Sequence, residues 1–284
     1  MNKILYCWQN LKWHVKYYLP EHEVKLETKN GVLSFSSKDW LIGKQLFIHR
    51  SYEIEFIDSV TEFLKDNNLL YGDAICDVGA NVGMIAIAFL RRGIFSKALA
   101  FEPFPKSFEF LVKNVKQNSL EGKILCFQVA LSSEDGVAEF EISEENSGDN
   151  RVRKIGFPGE MKEEKRMVIS VQKRSFDSIV ISQEISPDDI GLVWLDIQGH
   201  EGYFFEGAKK FFQRKRVPTV CEFWAYGIRR SGMTSDRFCR TLQSLFQRFW
   251  LFDEGKFVEY RIDYIKNLFE RFSDRRQVAQ VILF

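Results

Sequence analysis

Apolar residues along this chain fall into two alternating patterns. Short apolar runs lie at 74–78, 96–101, 123–129, 192–195, 218–224 and 278–284. Elsewhere apolar residues return every three or four positions, as Phe238, Cys239, Leu242, Leu245 and Phe246 do within 235–248. The first pattern is that of a strand buried on both faces, the second that of an amphipathic helix. Their alternation from residue 71 onward predicts an α/β fold, with a Rossmann-like, doubly wound, mostly parallel sheet wrapped by helices.

Residues 1–70 read differently and form an expected helical and hairpin cap on a domain spanning 71–284. Ile4, Leu5, Trp8, Leu11, Val15, Tyr18 and Leu19 recur at roughly helical spacing up to Pro20, which predicts a helix docked on the domain by that face, with a membrane-surface or dimer role as the alternative given Trp8, Trp13, Lys12 and Lys16. Residues 24–35 alternate around Asn30-Gly31 and predict a β-hairpin. Residues 52–64 predict a helix whose Glu53, Glu55, Asp58 and Glu62 form a solvated face, except where one lies near a ligand.

The stretch 73–83, D-A-I-C-D-V-G-A-N-V-G, is a strand, a tight turn and a helix start. Gly79 and Gly83 let the backbone turn and approach a ligand closely, and the following helix offers unpaired N–H groups. Three glycines spaced G-x-G-x-x-G are absent, which disfavours a dinucleotide. Asp77, just before the first glycine, repels a pyrophosphate and attracts a cation. S-adenosylmethionine carries an ammonium and a sulfonium, so it suits this turn better than NAD does. Glu102 closes the next strand, about 20 residues beyond the turn, where doubly wound folds place the carboxylate that binds ribose hydroxyls. The third strand leads into Ala130, Leu131 and Ser132, whose backbone is expected near an adenine. Asp135-Gly136 predicts a hairpin into 137–142, and the polar stretch 143–164 a long loop, either lid or surface insertion.

A second chemical stretch, I-G-L-V-W-L-D-I-Q-G-H-E-G at 190–202, places Asp196 at a strand end and His200 and Glu201 at the start of a helix. Ligands of open α/β sheets bind at strand carboxyl ends, so these three face the crevice of Asp77 and Glu102. His200 is the first candidate base, Asp196 orients either it or a reacting hydroxyl, and Glu201 is the alternative base. Asp196 with Glu222 offers oxygen ligands for a divalent ion, as a minor option. Trp224 and Tyr226 suit either ring stacking or the core, and Arg229, Arg230 and Lys215 read as solvated charge.

Composition narrows the class. A formal net charge of +1 disfavours general nucleic-acid binding. The five cysteines are far apart and read as reduced core residues, and neither they nor the four histidines show zinc spacing. The apolar start is broken by Gln9, Asn10 and Lys12 before a signal-peptide core forms, and no apolar run reaches membrane-spanning length, so a cytoplasmic protein is the default expectation.

Taken together, D-V-G-A-N-V-G from Asp77, A-F-E-P-F-P from Ala100, N-V-K-Q-N from Asn114, V-A-L-S-S-E-D-G from Val129, S-F-D-S from Ser175 and L-D-I-Q-G-H-E from Leu195 resemble the FkbM-type methyltransferase family over residues 44–226. The Tyr52–Glu55 run is a weaker match of the same kind. The resemblance implies that Asp77, Gly79, Ala80, Asn81 and Gly83 wrap the methionine part of S-adenosylmethionine and Glu102 its ribose. It also implies methylation of a hydroxyl on a sugar, glycan or secondary metabolite. No N-P-P-Y run of an amine methyltransferase is present, and Cys221 lacks the Pro-Cys context of a cytosine C5 nucleophile. The competing readings are a cofactor- or partner-binding protein without activity and, more remotely, an NAD-dependent enzyme.

Overall fold

The computed structural model describes residues 3–153, 159–182 and 186–284. Helix α1 (Lys3–Tyr18), hairpin β1 (Glu23–Thr28) and β2 (Gly31–Ser36), α2 (Ile42–His49) and α3 (Ile54–Asp66) precede the first core strand. Then follow β3 (Ala74–Val78), α4 (Met84–Arg91), β4 (Lys97–Phe101), α5 (Pro105–Gln117), β5 (Ile124–Phe127), β6 (Ala130–Leu131), β7 (Gly136–Ile142), β8 (Arg151–Val152), β9 (Met167–Arg174) and α6 (Phe176–Ile181). The last part comprises β10 (Ile190–Leu195), α7 (Glu201–Gly207), α8 (Lys209–Arg214), β11 (Thr219–Phe223), α9 (Ala225–Arg230), α10 (Ser235–Gln243), β12 (Arg248–Asp253), β13 (Lys256–Arg261), α11 (Leu268–Arg271) and β14 (Ala279–Leu283).

Eight strands form one sheet in the order β13-β12-β14-β11-β10-β3-β4-β5. The five strands from β11 to β5 are parallel, and β14, β12 and β13 are antiparallel. The chain runs outward from β3 through β4 to β5, then returns to lay β10 on the other side of β3. That reversal is the topological switch point where α/β sheets open a crevice. Apolar layers fill both sheet faces. One contains Phe101, Phe176, Phe204, Phe223 and Phe249, and the other runs from Phe35 and Ile57 through Ile87 to Leu192 and Ile282. The 1–70 segment therefore shares a core with the sheet it covers.

Several expectations are corrected. The apolar stripe of α1 faces outward: Ile4 is 79% exposed, Trp8 55% and Leu11 56%. The helix docks by its opposite side, where Trp13 is fully buried, with its ring 6.2 Å from that of Phe35 and 5.4 Å from that of Phe47. One large ring that fills a gap between the hairpin and α2 outweighs a longer stripe with no surface to meet. The two-residue turn of the first hairpin is Lys29-Asn30, and Gly31 already pairs with Thr28.

Segment 136–142 does not form a hairpin with the strand before it, because β9 inserts between β6 and β7 in a separate four-stranded sheet. Part of 143–164 is ordered: Arg151, buried, binds Glu141 (2.7 Å), Asp149 (3.1 Å) and Glu163 (2.9 Å). Positions 154–158 of that stretch lie outside the described residues. The helix expected at 235–248 ends at Gln243, and its last residue, Arg248, opens β12. Both α2 and β13 escaped the sequence reading. Cys76, Cys221 and Cys239 are buried, but Cys7 is exposed and Cys126 only partly covered.

Candidate functional site

A cleft opens at the carboxyl ends of β3, β4 and β10. Its lining includes Asp77, Gly79, Ala80, Asn81, Glu102, Ala130, Asp196 and His200, all expected from the sequence. Parallel strands bring them together because each ends at the same sheet edge. Gly79 has φ 91°, and a Cβ there would lie 1.9 Å from the Asp196 carbonyl oxygen. Only glycine lets the β3 turn pass this close to the end of β10.

The two acids of the turn are held by backbone N–H groups. Asp77 accepts from Ala86 N in α4 (3.0 Å), and Glu102 accepts from Asn81 N (2.9 Å) and Phe104 N (2.8 Å). Both are buried, and burial, which disfavours the charged form, raises each to about 7. For Asp77 the Asp196 and Glu102 charges add to the rise.

Two expected residues sit elsewhere. Gly83 is absent from the cleft wall; it starts α4 at φ 90°, and a Cβ on it would meet Leu111 at 2.8 Å, so its task is the turn and helix packing. Glu201 does not line the cleft either. One of its oxygens accepts from Ile197 N (3.2 Å) and Gly199 N (3.1 Å), which shapes the loop after β10. Burial raises it to about 7.

His200 does reach the cleft, but its Nε2 shares a hydrogen bond with the Ser132 hydroxyl (3.0 Å), and Nδ1 has no hydrogen-bond partner among the described residues. Its ring stacks on Tyr203 with centroids 4.6 Å apart. Burial pushes its pKa down to about 3, so the ring is neutral at physiological pH and a weak proton acceptor.

Three participants were misjudged or missed. Glu53, from the face expected to be solvated except near a ligand, lines the cleft and is pushed up to about 8 by burial and then by the Asp196 and Asp77 charges. Its place follows from Asn30, a buried residue whose side chain donates to Tyr52 O (2.9 Å) and accepts from Tyr52 N (2.8 Å). Glu53 itself has φ 52°, so the chain turns at the cleft just before α3. Gln198 Nε2 donates to Asp196 Oδ1 (2.6 Å) and Glu222 Oε1 (3.1 Å), bridging the two acids proposed as metal ligands. Burial raises Asp196, and burial with repulsion from Asp196 raises Glu222 well above the carboxyl range. Among the described residues no group of three or more His, Cys, Asp or Glu side chains is placed to hold a metal ion.

The third is Ser147, from the polar 143–164 stretch. Its hydroxyl donates to Asp39 and accepts from Asn81 Nδ2 (3.0 Å), so this stretch covers part of the glycine turn. Gln198 lies inside the L-D-I-Q-G-H-E motif, and Glu53 inside the weaker Tyr52–Glu55 match. Ser147 carried no local signal. Trp224 and Tyr226 are used for packing: Trp224 Nε1 donates to Arg275 O (2.7 Å), and the Tyr226 hydroxyl donates to Glu163 (2.7 Å). Arg230 is largely buried, 3.7 Å from Glu163, rather than solvated.

The family model described as "Methyltransferase FkbM domain" matches residues 77–250, from the end of β3 to the middle of β12. The 2-O-methyltransferase NoeI of Sinorhizobium fredii is 26% identical over 151 residues, 50% of this chain and 60% of that protein. Methyltransferase sdnD of Sordaria araneosa is 30% identical over 95 residues, 34% of this chain and 32% of that protein. The chain thus spans less than two thirds of the length of these curated relatives. A crystal structure of methyltransferase FkbM from Methylobacillus flagellatus KT overlaps 75% of this chain and 44% of its own, at 14% identity and a TM-score of 0.46. A likeness at that level bears on neither substrate nor residue roles.

Proposed function

The chain belongs to the FkbM methyltransferase domain family, and on that premise we propose that it is an S-adenosylmethionine-dependent O-methyltransferase acting on a hydroxyl of a sugar, glycan or other small molecule. The observation that carries this reading is the charge of the cleft. Four acids line it, Glu53, Asp77, Glu102 and Asp196, and the arginine among them, Arg151, is already paired with Glu141, Asp149 and Glu163. Uncompensated acids with raised pKa values suit a cationic ligand, which lowers those values again when it binds. The O-methyl preference draws on the 2-O-methyltransferase NoeI as the named relative.

When bound, S-adenosylmethionine supplies a methyl group on a positively charged sulfur. Glu102 holds the glycine turn through Asn81 N–H and Asp77 the first turn of α4 through Ala86 N–H, and both keep spare oxygen lone pairs for ammonium and hydroxyl donors. The acceptor hydroxyl oxygen would form the new bond to the methyl carbon as the carbon–sulfur bond breaks, its electron pair leaving with the neutral thioether, and would give up its proton. Positioning supplies much of the rate, and a carboxylate takes the proton. Asp196, kept in place by Gln198 and made more basic by burial, is the proton acceptor, with Glu53 on the same cleft wall as its neighbour in charge. His200 and Glu201 act as positioning residues, through Ser132 and through the loop after β10 respectively.

Calorimetric titration of the full chain with S-adenosylmethionine and with NAD tests the first half. Binding of the former alone is expected, and binding of NAD alone overturns the reading. Incubation with sugar hydroxyl acceptors and a labelled methyl donor tests the second half by label gained on oxygen.

A further inference from the structure

The outward face of α1 is left without a task by the cleft and its chemistry. At about 100° of rotation per residue, Trp8, Leu11, Val15, Tyr18 and Leu19 fall within roughly a 100° arc. All five are exposed, while Trp13 on the opposite side anchors the helix to the fold. The chain has no Asp or Glu before Glu21, whereas Lys3, Lys12 and Lys16 lie on this helix. Lys12 borders the apolar arc, with its ammonium over the Trp8 ring at 5.3 Å, and Lys16 lies one step farther round, its ammonium 6.0 Å from the Phe47 ring. The helix is therefore fixed to the protein by one face and presents an apolar stripe edged with positive charge on the other.

We propose that this face lies on an anionic lipid surface. A stripe of aromatic and aliphatic side chains sinks to the level of the headgroups and acyl boundary, and flanking lysines meet lipid phosphates. The charge favours lipid over a second copy of the chain, because two such faces packed together bring their lysines into contact with no acid on either helix. The helix is held edge-on to the protein rather than crossing the bilayer, and among the described residues no helix is long and apolar enough to cross a membrane.

The test is co-sedimentation of the full chain with vesicles of phosphatidylcholine mixed with phosphatidylglycerol, beside vesicles of phosphatidylcholine alone. Binding to the mixed vesicles is expected, and it weakens in high salt. Substituting Lys12→Gln together with Lys16→Gln is expected to weaken it by roughly thirty-fold, since each lysine near an anionic surface contributes about one factor of five. Leu11→Glu with Val15→Glu abolishes it while the melting temperature stays that of the parent, because neither side chain is packed in the fold. Two outcomes overturn the proposal: no preference for the mixed vesicles, or a dimer in light scattering that the Leu11→Glu and Val15→Glu variant dissolves.

Discussion

The Asn81 backbone N–H donates to Glu102 Oε2 across 2.9 Å, which fastens the turn after β3 to the end of β4. One carboxylate thus shapes the floor of the cleft and presents charge to it. Glu102→Gln replaces an acceptor with a donor in this arrangement, and a lost hydrogen bond to a charged group costs about 1.5–3 kcal/mol. S-adenosylmethionine affinity is expected to fall at least tenfold in titration calorimetry, with the fold retained by circular dichroism. Unchanged affinity would remove Glu102 from the site.

Gly79 is constrained more severely. Alanine there adopts a positive φ at about 1–3 kcal/mol and also drives a methyl group into the Asp196 carbonyl. Gly79→Ala is expected to lower stability in urea unfolding and to abolish cofactor binding even where the folded state persists.

The cleft acids set a pH dependence. Asp77, Glu102 and Glu201 are raised to about 7 and Glu53 to about 8, in each case mainly by burial. With a raised folded pKa, the folded chain binds more protons than the unfolded chain between the ordinary carboxyl value and the folded one. Stability from these groups is therefore lost as pH rises through that window. His200 acts in the opposite sense: its contribution is complete above its ordinary value of 6.5 and is lost as pH falls toward 3. Cofactor-free protein is expected to melt at lower temperature near pH ~8 than near pH ~6. A cationic ligand reverses the carboxyl shifts, so its binding releases protons. Calorimetry in buffers of different ionisation enthalpy measures that release, and a value of zero would contradict a cationic ligand among these acids.

His200 and Asp196 are separable by the same logic. A ring with a pKa near 3 contributes no titration around neutrality, so His200→Ala lowers turnover through lost positioning and leaves the acid limb of the pH–rate profile in place. Asp196→Asn removes that limb. If instead the limb disappears with His200→Ala, the imidazole is the base and Asp196 serves it.

The two faces of α1 differ in what they support. Trp13→Ala empties a fully buried site between Phe35 and Phe47 and is expected to cost about 3–5 kcal/mol in denaturant unfolding. Leu11→Ala, on the exposed face, stays within about 0.5 kcal/mol of the parent.

Sequence alone determined the alternation of strands and helices, the turn at Asp77–Gly83, Glu102 after β4 and Asp196 after β10, because each depends on local pattern: apolar runs, glycine spacing and acids at strand ends. It determined that α1 is a helix but misplaced its contact face, since helical spacing shows which residues share a side and says nothing of what that side meets. Tertiary structure decided the rest. Glu53 became a cleft residue because Asn30, more than twenty positions earlier, holds the backbone of Tyr52 from a hairpin turn. For His200, burial and the contact with Ser132, 68 residues away, are the tertiary features that argue for a positioning role over that of base. Burial and partners of this kind come from contacts distant in the chain, and they set the proton affinities on which the chemistry of the cleft depends.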